Sequence, residues 1–173
     1  KKLLEIVQLR SKVKIGNLND LENYGIYYKA PYNASNTNLG NKSIDVCIST
    51  NTLEHIPKYN IIRIFSELHR ILKDEGIVSA IIDYSDHYAH TDKSISLLNF
   101  LKFTSNNWKK FNHNIHFQNR LRHYEYINIF EKAGFIVVNE DSVYAGKNIP
   151  SEILKSYKKF NPTWKWTSAH IIL

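Results

Sequence analysis

The sequence lacks methionine altogether, and its 173 residues include only one cysteine and six glycines. Because a natural chain begins with an initiator methionine, we do not expect Lys1 to be the natural first residue. The single cysteine, Cys47, cannot form an internal disulfide, which fits a reducing compartment and makes the cytoplasm the default expectation.

Long hydrophobic runs are also missing. No uninterrupted apolar stretch approaches the roughly 18 residues that a membrane-spanning helix needs, and no signal peptide follows Lys1 and Lys2. Hydrophobic residues make up 43% of the chain and charged residues 23%, which are ordinary proportions for a globular protein. The length suits one hydrophobic core, so we expect a single domain over residues 1–173.

Positive charge is in excess, with 23 lysines and arginines against 16 acidic residues and a formal net charge of +7. A nucleic-acid surface needs its cations gathered on one face or stripe. Here they are dispersed, and such a pattern is typical of a solvated surface. The charge therefore does not favour nucleic acid as a partner, although a basic RNA-binding domain stays open as an alternative.

The order of apolar patterns predicts an α/β fold. Residues 43–49 form a run of β-formers, residues 59–73 carry apolar side chains at helical spacing with Gly76 after them, and residues 76–82 are a second apolar run. Strand, helix and strand with short connections form a βαβ unit, whose strands are parallel. We therefore expect a Rossmann-like, doubly wound and mostly parallel sheet.

Further elements are predicted on either side of this unit. The patterns indicate helices over residues 3–9, 94–101, 123–133 and 151–157, and strands over residues 135–140 and 164–173. Gly134 occupies the position after a helix where a left-handed backbone is favoured.

Polar clusters follow the predicted strands. Ligands of open parallel sheets bind outside the carboxyl ends of the strands. Residues 33–36, 49–55 and 83–90 are the polar segments that this rule selects, and we expect the last two to share one cleft.

The residues around these clusters resemble a known family. Asp45 near the start of a strand, Leu53-Glu54-His55 after it and the segment 72–76 before the next strand are similar to the central part of class I S-adenosylmethionine-dependent methyltransferases. The resemblance covers roughly residues 27–138. It implies a mostly parallel sheet with an antiparallel last strand, and methyl transfer from S-adenosyl-L-methionine to a small-molecule or glycan-type acceptor.

The resemblance also implies roles for individual residues. By position, Asn33 and Ala34 match the loop that flanks the adenine of the cofactor. Four residues after the next strand match the segment that borders the cofactor and its reacting methyl group: Ser49, Thr50, Asn51 and Leu53.

Three histidines are the candidate catalytic residues: His55, His87 and His90. A histidine can take a proton at neutral pH, which suits the deprotonation of an acceptor hydroxyl. For Glu54 and His55 a structural role at the start of the next helix is the stronger alternative. The spacing of His87 and His90 is too weak to indicate a metal, so no metal site is assigned.

Three further residues are candidates for binding the acceptor: Asp86, Arg120 and His123. Asp86 lies in the polar segment that the resemblance places over the substrate pocket. Arg120 and His123, together with Arg122 between them, suit an acidic acceptor such as a phosphate or uronate, and the start of a solvated helix is the stronger alternative.

The family's glycine-rich first loop, where the backbone approaches the cofactor, has no counterpart in the chain. We therefore expect a fragment that begins after the first two strands and binds the cofactor weakly or not at all. A non-catalytic, methyltransferase-like partner of another chain stays open as an alternative. An exposed sheet edge would then allow self-association.

Overall fold

The computed structural model describes residues 18–145, 149–157 and 161–173. The chain divides into two compact units, Lys1–Asn33 and Ala34–Leu173. In the first unit, Leu18–Tyr24 forms a 3-10 helix, whereas the predicted helix over residues 3–9 lies outside the described residues. The sheet belongs to the second unit.

The described residues of the second unit form four strands and five α-helices. The strands are β1 (Ile44–Thr50), β2 (Leu72–Asp83), β3 (Asn139–Tyr144) and β4 (Trp166–Ile172). The helices are α1 (Lys58–Ile71), α2 (Tyr88–Thr91), α3 (Ser105–Trp108), α4 (His123–Lys132) and α5 (Ser151–Tyr157). Short 3-10 helices span Leu53–His55, Asn99–Lys102, Asn114–His116 and Pro162–Lys165.

The four strands form one sheet in the order β1-β2-β4-β3. β1 and β2 are parallel, and β4 is antiparallel to both of its neighbours, β2 and β3. Strands β1, β2 and β3 therefore point in one direction and only the last strand is reversed. This confirms the expected α/β class with an antiparallel last strand.

The start of β2 differs from the sequence prediction. Helix α1 ends at Ile71, two residues before its predicted end, and β2 begins at Leu72 rather than at residue 76. Ile44 pairs with Leu72 but Val46 already pairs with Ile77, so the residues of β2 between these pairs form a bulge. Gly76 lies in that bulge, where a Cβ atom would stand 2.9 Å from the carbonyl oxygen of Lys73.

Helices α1 and α4 pack on one face of the sheet. Helix α1 buries Ile61, Phe65, Leu68 and Ile71, as its apolar spacing predicts. The rings of Phe65 and Phe130 lie 4.3 Å apart and join the two helices. Beneath them lies the buried face of the sheet, formed by Val78, Ala80, Ile82, Ala169 and Ile171.

The opposite face of the sheet is much more exposed. Side chains alternate along a strand, and directly paired residues share a face. Val46 and Ile48 point away from the helices and are 52% and 73% exposed, and Ile77, paired with Val46, is exposed as well. In the described part of the chain, the main core thus lies on one side of the sheet.

Helix α4 ends as predicted, with Gly134 in the left-handed region at φ 97°. The Gly134 N–H donates to the Glu131 carbonyl at 3.0 Å, and the Phe135 N–H donates to the Phe130 carbonyl at 3.1 Å. This is the Schellman pattern. Phe135 belongs to this helix-ending turn, and the third strand begins at Asn139 rather than at residue 135.

The short elements were predicted least well. Residues 94–101 were expected to form a helix, but only Asn99–Lys102 is helical, as a 3-10 turn. Two short helices, Tyr88–Thr91 and Ser105–Trp108, lie outside the predicted helices and strands. Within the described ranges, no helix combines the length and apolar character needed to cross a membrane.

Candidate functional site

The candidate site lies where parallel strands β1 and β2 end. Thr50 pairs with Ile81, and the Asn51 N–H donates to the Ile81 carbonyl at 2.9 Å, so the two carboxyl ends are adjacent. Asn51 adopts a left-handed conformation with φ 47°, which turns the chain into the 3-10 helix Leu53–His55.

This arrangement brings the three predicted catalytic histidines together. The ring centroids of His55 and His87 are 4.9 Å apart, and those of His87 and His90 are 5.4 Å apart. His87 immediately precedes helix α2, and His90 lies in it. The two polar segments expected to share a cleft are therefore in contact.

A segment outside the predicted helices and strands, residues 117–119, joins the two halves of the site. The Phe117 carbonyl accepts a hydrogen bond from His55 Nδ1 at 2.9 Å. Gln118 Oε1 accepts from the His87 N–H at 3.3 Å, and Asn119 Nδ2 donates to the carbonyls of Leu53 and Ile56 at 2.9 and 2.8 Å. Residues 117–119 thus fix both histidine-bearing loops from the same side.

The hydrogen bond from His55 defines the chemistry of its ring. A carbonyl oxygen can only accept, so Nδ1 carries the hydrogen. In the neutral imidazole Nε2 then has a free lone pair, and the side chain is exposed. Nε2 can therefore accept a proton or bind a metal ion.

Glu54 is the most unusual side chain of the site. It is 2% exposed, and neither of its carboxyl oxygens has a hydrogen-bond partner. Burial raises the pKa of Glu54 above its ordinary value. His87 Nε2 is likewise buried without a hydrogen bond. Unsatisfied buried polar atoms are costly and uncommon, so the Glu54 carboxyl group needs a functional explanation.

Asp83 lies beside the histidines at the end of β2. Its Oδ1 accepts a hydrogen bond from the Ser85 N–H at 2.7 Å, and its Oδ2 is 3.6 Å from His87 Nε2 and 3.4 Å from His90 Nε2. Burial by itself would raise the pKa of Asp83, but the interactions with His87 and Ser85 outweigh it and bring the pKa to about 2. The Asp83 carboxylate in turn raises the pKa of His87.

The predicted acceptor-binding residues contact protein groups. Asp86 is fully buried and accepts hydrogen bonds from the Tyr88 N–H at 3.0 Å and from Asn99 Nδ2 at 3.1 Å. Arg120 donates to the carbonyls of Phe100 and Phe103. The structure places Asp86 directly before His87, and it places Arg120 against the segment 99–105.

His123 is buried below the same end of the sheet. Its Nε2 donates to the Glu140 carboxylate at 3.0 Å, which leaves Nδ1 to accept from the Tyr84 hydroxyl at 3.1 Å. Burial lowers the pKa of His123, although Glu140 opposes this effect. His123 thus links β2, β3 and α4.

The predicted cofactor-binding residues lie in several different parts of the structure. Ser49 and Thr50 lie at the carboxyl end of β1, and Asn51 forms the turn beyond it. The Leu53 side chain is buried in the main core. Asn33 and Ala34 are both exposed, but Asn33 belongs to the first compact unit and Ala34 to the second.

Several surface cavities lie near the sheet. One of about 480 Å³ surrounds the bulge at the amino end of β2, including Leu72, Gly76 and Ile77, and is therefore at the opposite end from the histidines. Another of about 260 Å³ lies beside helix α2, where Asp86, Tyr88 and Trp108 contribute to its lining. The second cavity is the one adjacent to the histidine-bearing segment.

Comparison with known proteins agrees with this picture of a sheet that carries a polar site at its carboxyl edge. Residues 19–80 match the methyltransferase domain family. This segment contains Asp45, Leu53-Glu54-His55 and the bulge near the start of β2. Over this segment the resemblance to a methyltransferase domain is therefore confirmed. No curated protein matches the chain in sequence.

Solved structures of methyltransferases are similar to the chain at low identity. One is a SAM-dependent methyltransferase from Archaeoglobus fulgidus, with 13% identity, a TM-score of 0.49 and coverage of 90% of this chain and 72% of that chain. Another, from Methanosarcina mazei, has 14% identity, a TM-score of 0.49 and coverage of 81% and 63%. Geranyl diphosphate C-methyltransferase from Streptomyces coelicolor has 10% identity, a TM-score of 0.47 and coverage of 81% and 51%. The chain spans about two thirds of the length of several such structures, 65% in one case and 66% in another.

Proposed function

We propose that this chain takes part in S-adenosylmethionine-dependent methyl transfer to a small-molecule or glycan-type acceptor. The single observation that carries the proposal is the meeting of His55, His87 and His90 just beyond the ends of two parallel strands. The match of residues 19–80 to the methyltransferase domain family supports S-adenosyl-L-methionine as the cofactor.

The reaction requires little from the protein beyond alignment of the methyl donor and the acceptor. When bound, S-adenosylmethionine would supply an activated sulfonium methyl group to the acceptor oxygen, and the electron pair of the broken carbon–sulfur bond would leave with S-adenosylhomocysteine. The proton of the acceptor hydroxyl passes to an imidazole of the histidine group. Orientation and exclusion of water provide most of the acceleration in such a displacement.

The cofactor would lie along the loop that follows β1. We assign Ser49, Thr50, Asn51 and the backbone of Leu53 to the side nearest the methyl group, and Ala34 to the adenine. Because the sequence holds no Gly-x-Gly loop, we expect weak affinity for the cofactor.

On the acceptor side we assign Asp86, Arg120 and His123. Asp86 and Arg120 would act mainly by holding the segments that line the acceptor pocket, since both already bind protein groups. The cavity beside helix α2 is a suitable position for part of a small acceptor.

Calorimetric titration of the chain with S-adenosylhomocysteine tests the cofactor assignment. We expect weak but saturable binding that S-adenosylmethionine competes away. Absence of saturable binding by folded protein up to millimolar ligand would contradict the proposal and favour a non-catalytic partner domain.

Transfer of a labelled methyl group tests the histidines. We expect His90→Asn to lower transfer to a hydroxylated acceptor, while His113→Asn, at an exposed histidine outside the group, leaves it unchanged. Equal activity of both variants would contradict the assignment.

A further inference from the structure

The site contains a second feature that methyl transfer does not require. We propose that Glu54, His55 and His87 form a binding site for one divalent transition-metal ion such as Zn²⁺. The inference rests on the geometry of these side chains and does not depend on the proposed methyl transfer.

The three side chains converge closely enough to share an ion. Each offers one ligand atom, and these atoms all lie within 4.8 Å of one another. In a tetrahedral zinc site with ligands about 2.1 Å from the metal, ligand atoms stand roughly 3.4 Å apart. Small side-chain rotations therefore suffice to bring the three ligand atoms around one metal ion.

The buried Glu54 carboxyl group points to a missing partner. Both of its oxygens and His87 Nε2 are buried without a hydrogen bond. A carboxylate removed from water needs a cation or hydrogen-bond donors to offset the loss of its hydration. A metal ion between Glu54 and His87 would satisfy both groups at once.

His55 is held as metal-binding histidines usually are. The ring of His55 donates through Nδ1 to the Phe117 carbonyl, which leaves Nε2 as the free lone pair. A ligating histidine typically donates its other ring nitrogen to a carbonyl or carboxylate in this way. The backbone of His87 is fixed by Gln118.

The donor set indicates the kind of metal. Two imidazole nitrogens and one carboxylate oxygen suit Zn²⁺ and related transition metals, whereas Mg²⁺ and Ca²⁺ prefer all-oxygen sites. Three protein ligands leave a coordination position open. Since His55 is exposed, that position is accessible to water or to an acceptor oxygen.

A neighbouring set of groups competes for the same ion. Asp83, His87 and His90 also converge within 4.8 Å, and both sets contain His87. We assign the ion to the first set because Glu54 lacks partners, while Asp83 already accepts a hydrogen bond from Ser85 and His90 Nε2 lies 3.0 Å from Ser85 Oγ.

Titration of the metal-free chain tests the proposal without any methyl transfer. Zn²⁺ is followed by calorimetry and Co²⁺ by its visible absorption, both in the absence of S-adenosylmethionine. We expect one ion per chain, and Co²⁺ bands typical of nitrogen and oxygen ligands. Glu54→Gln and His87→Asn should each weaken binding by about tenfold or more.

His113→Asn is the matched control, because it makes the same change at an exposed histidine outside the site. It should bind as the unchanged chain does. Glu54→Gln preserves the shape of the side chain, and circular dichroism shows whether each variant is folded.

Three outcomes would overturn the proposal: no saturable binding by the folded chain, unchanged affinity in folded Glu54→Gln, or loss of binding in Asp83→Asn and His90→Asn but not in Glu54→Gln. Binding of S-adenosylhomocysteine is measured separately. Metal binding without cofactor binding would contradict the proposed function alone, and the reverse would contradict the metal site alone.

Discussion

Arg122 shows how much of the region around the site depends on one side chain. Its guanidinium is buried and donates to the carbonyls of Trp164, Tyr84 and Trp166. Burial lowers the pKa of Arg122 to about 10, and no carboxylate is among these hydrogen-bond partners. The side chain thus ties the end of β2 to the start of β4 through neutral acceptors.

We predict that Arg122→Lys destabilises the fold by roughly 2–4 kcal/mol, because a lysine ammonium cannot reach three fixed carbonyls with the geometry of a guanidinium. Urea denaturation measures the change. Arg63→Lys, on the exposed side of α1, is the control and should stay within about 0.5 kcal/mol. Equal effects of the two substitutions would contradict this role for Arg122.

Gly134 is the second residue whose identity the structure requires. Its φ of 97° is unfavourable for other residues, and a Cβ atom there would stand 2.6 Å from Nε2 of His69. We predict that Gly134→Ala costs about 1–3 kcal/mol in the free energy of unfolding. Gly40→Ala, where the nearest atom to a new Cβ is 3.8 Å away, should be nearly neutral, and thermal denaturation compares the two.

At the scale of elements, helix α1 also fastens the loop that precedes β1. Glu67 accepts hydrogen bonds from Arg70 and from both the N–H and the hydroxyl of Thr37. These interactions, with Arg70 foremost, lower the pKa of Glu67 from an ordinary 4.5 to about 2. The contact joins residues thirty positions apart and holds the loop against the helix.

This contact predicts a pH dependence of stability. In the unfolded chain Glu67 takes up a proton near pH 4.5, whereas in the folded chain it does so only near pH 2. The stabilisation is therefore complete above about pH 4.5 and is lost as the pH falls towards 2. In Glu67→Gln the free energy of unfolding should fall less between pH 4.5 and 2 than in the unchanged chain. Glu131→Gln, at an exposed position of α4, should show the same fall as the unchanged chain. Denaturation midpoints measured from pH 2 to 6 make the comparison.

Helices and strands whose apolar residues recur with one clear period could be predicted from the sequence. Strand β1, helix α1 and helix α4 lie within one or two residues of their predicted bounds, because apolar spacing and Gly134 are local signals. The start of β2 could not be predicted, since the polar segment 73–76 joins the sheet through a bulge that depends on pairing with β1. Local pattern contains no information about that pairing.

One part of the candidate site could likewise be predicted from the sequence, and another part could not. The approach of His55 and His87 follows from topology, because parallel neighbouring strands end at one edge. The hydrogen bonds that join Phe117 and Asn119 to the segment 53–56 connect residues more than sixty positions apart. No spacing rule connects such residues, so neither these contacts nor the buried, unpaired Glu54 carboxyl group could be predicted from the sequence.

At the scale of the whole molecule, the two faces of the sheet differ in what they contribute. Ile82 is fully buried under α1 and α4, whereas Ile48, on the other face, is 73% exposed. The free energy gained from burying apolar surface is proportional to the area removed from water. Stability should therefore come mainly from the helix-covered face.

We predict that Ile82→Ala lowers the free energy of unfolding by about 2–5 kcal/mol, as expected for removing a large side chain from a packed core. Ile48→Ala makes the same chemical change in the same sheet and should stay within about 0.5 kcal/mol, because the side chain is already largely in water. Urea denaturation of the two variants beside the unchanged chain gives both values. A loss at Ile48 as large as that at Ile82 would mean that this face of the sheet is also covered in solution, and the difference between the faces would then have to be abandoned.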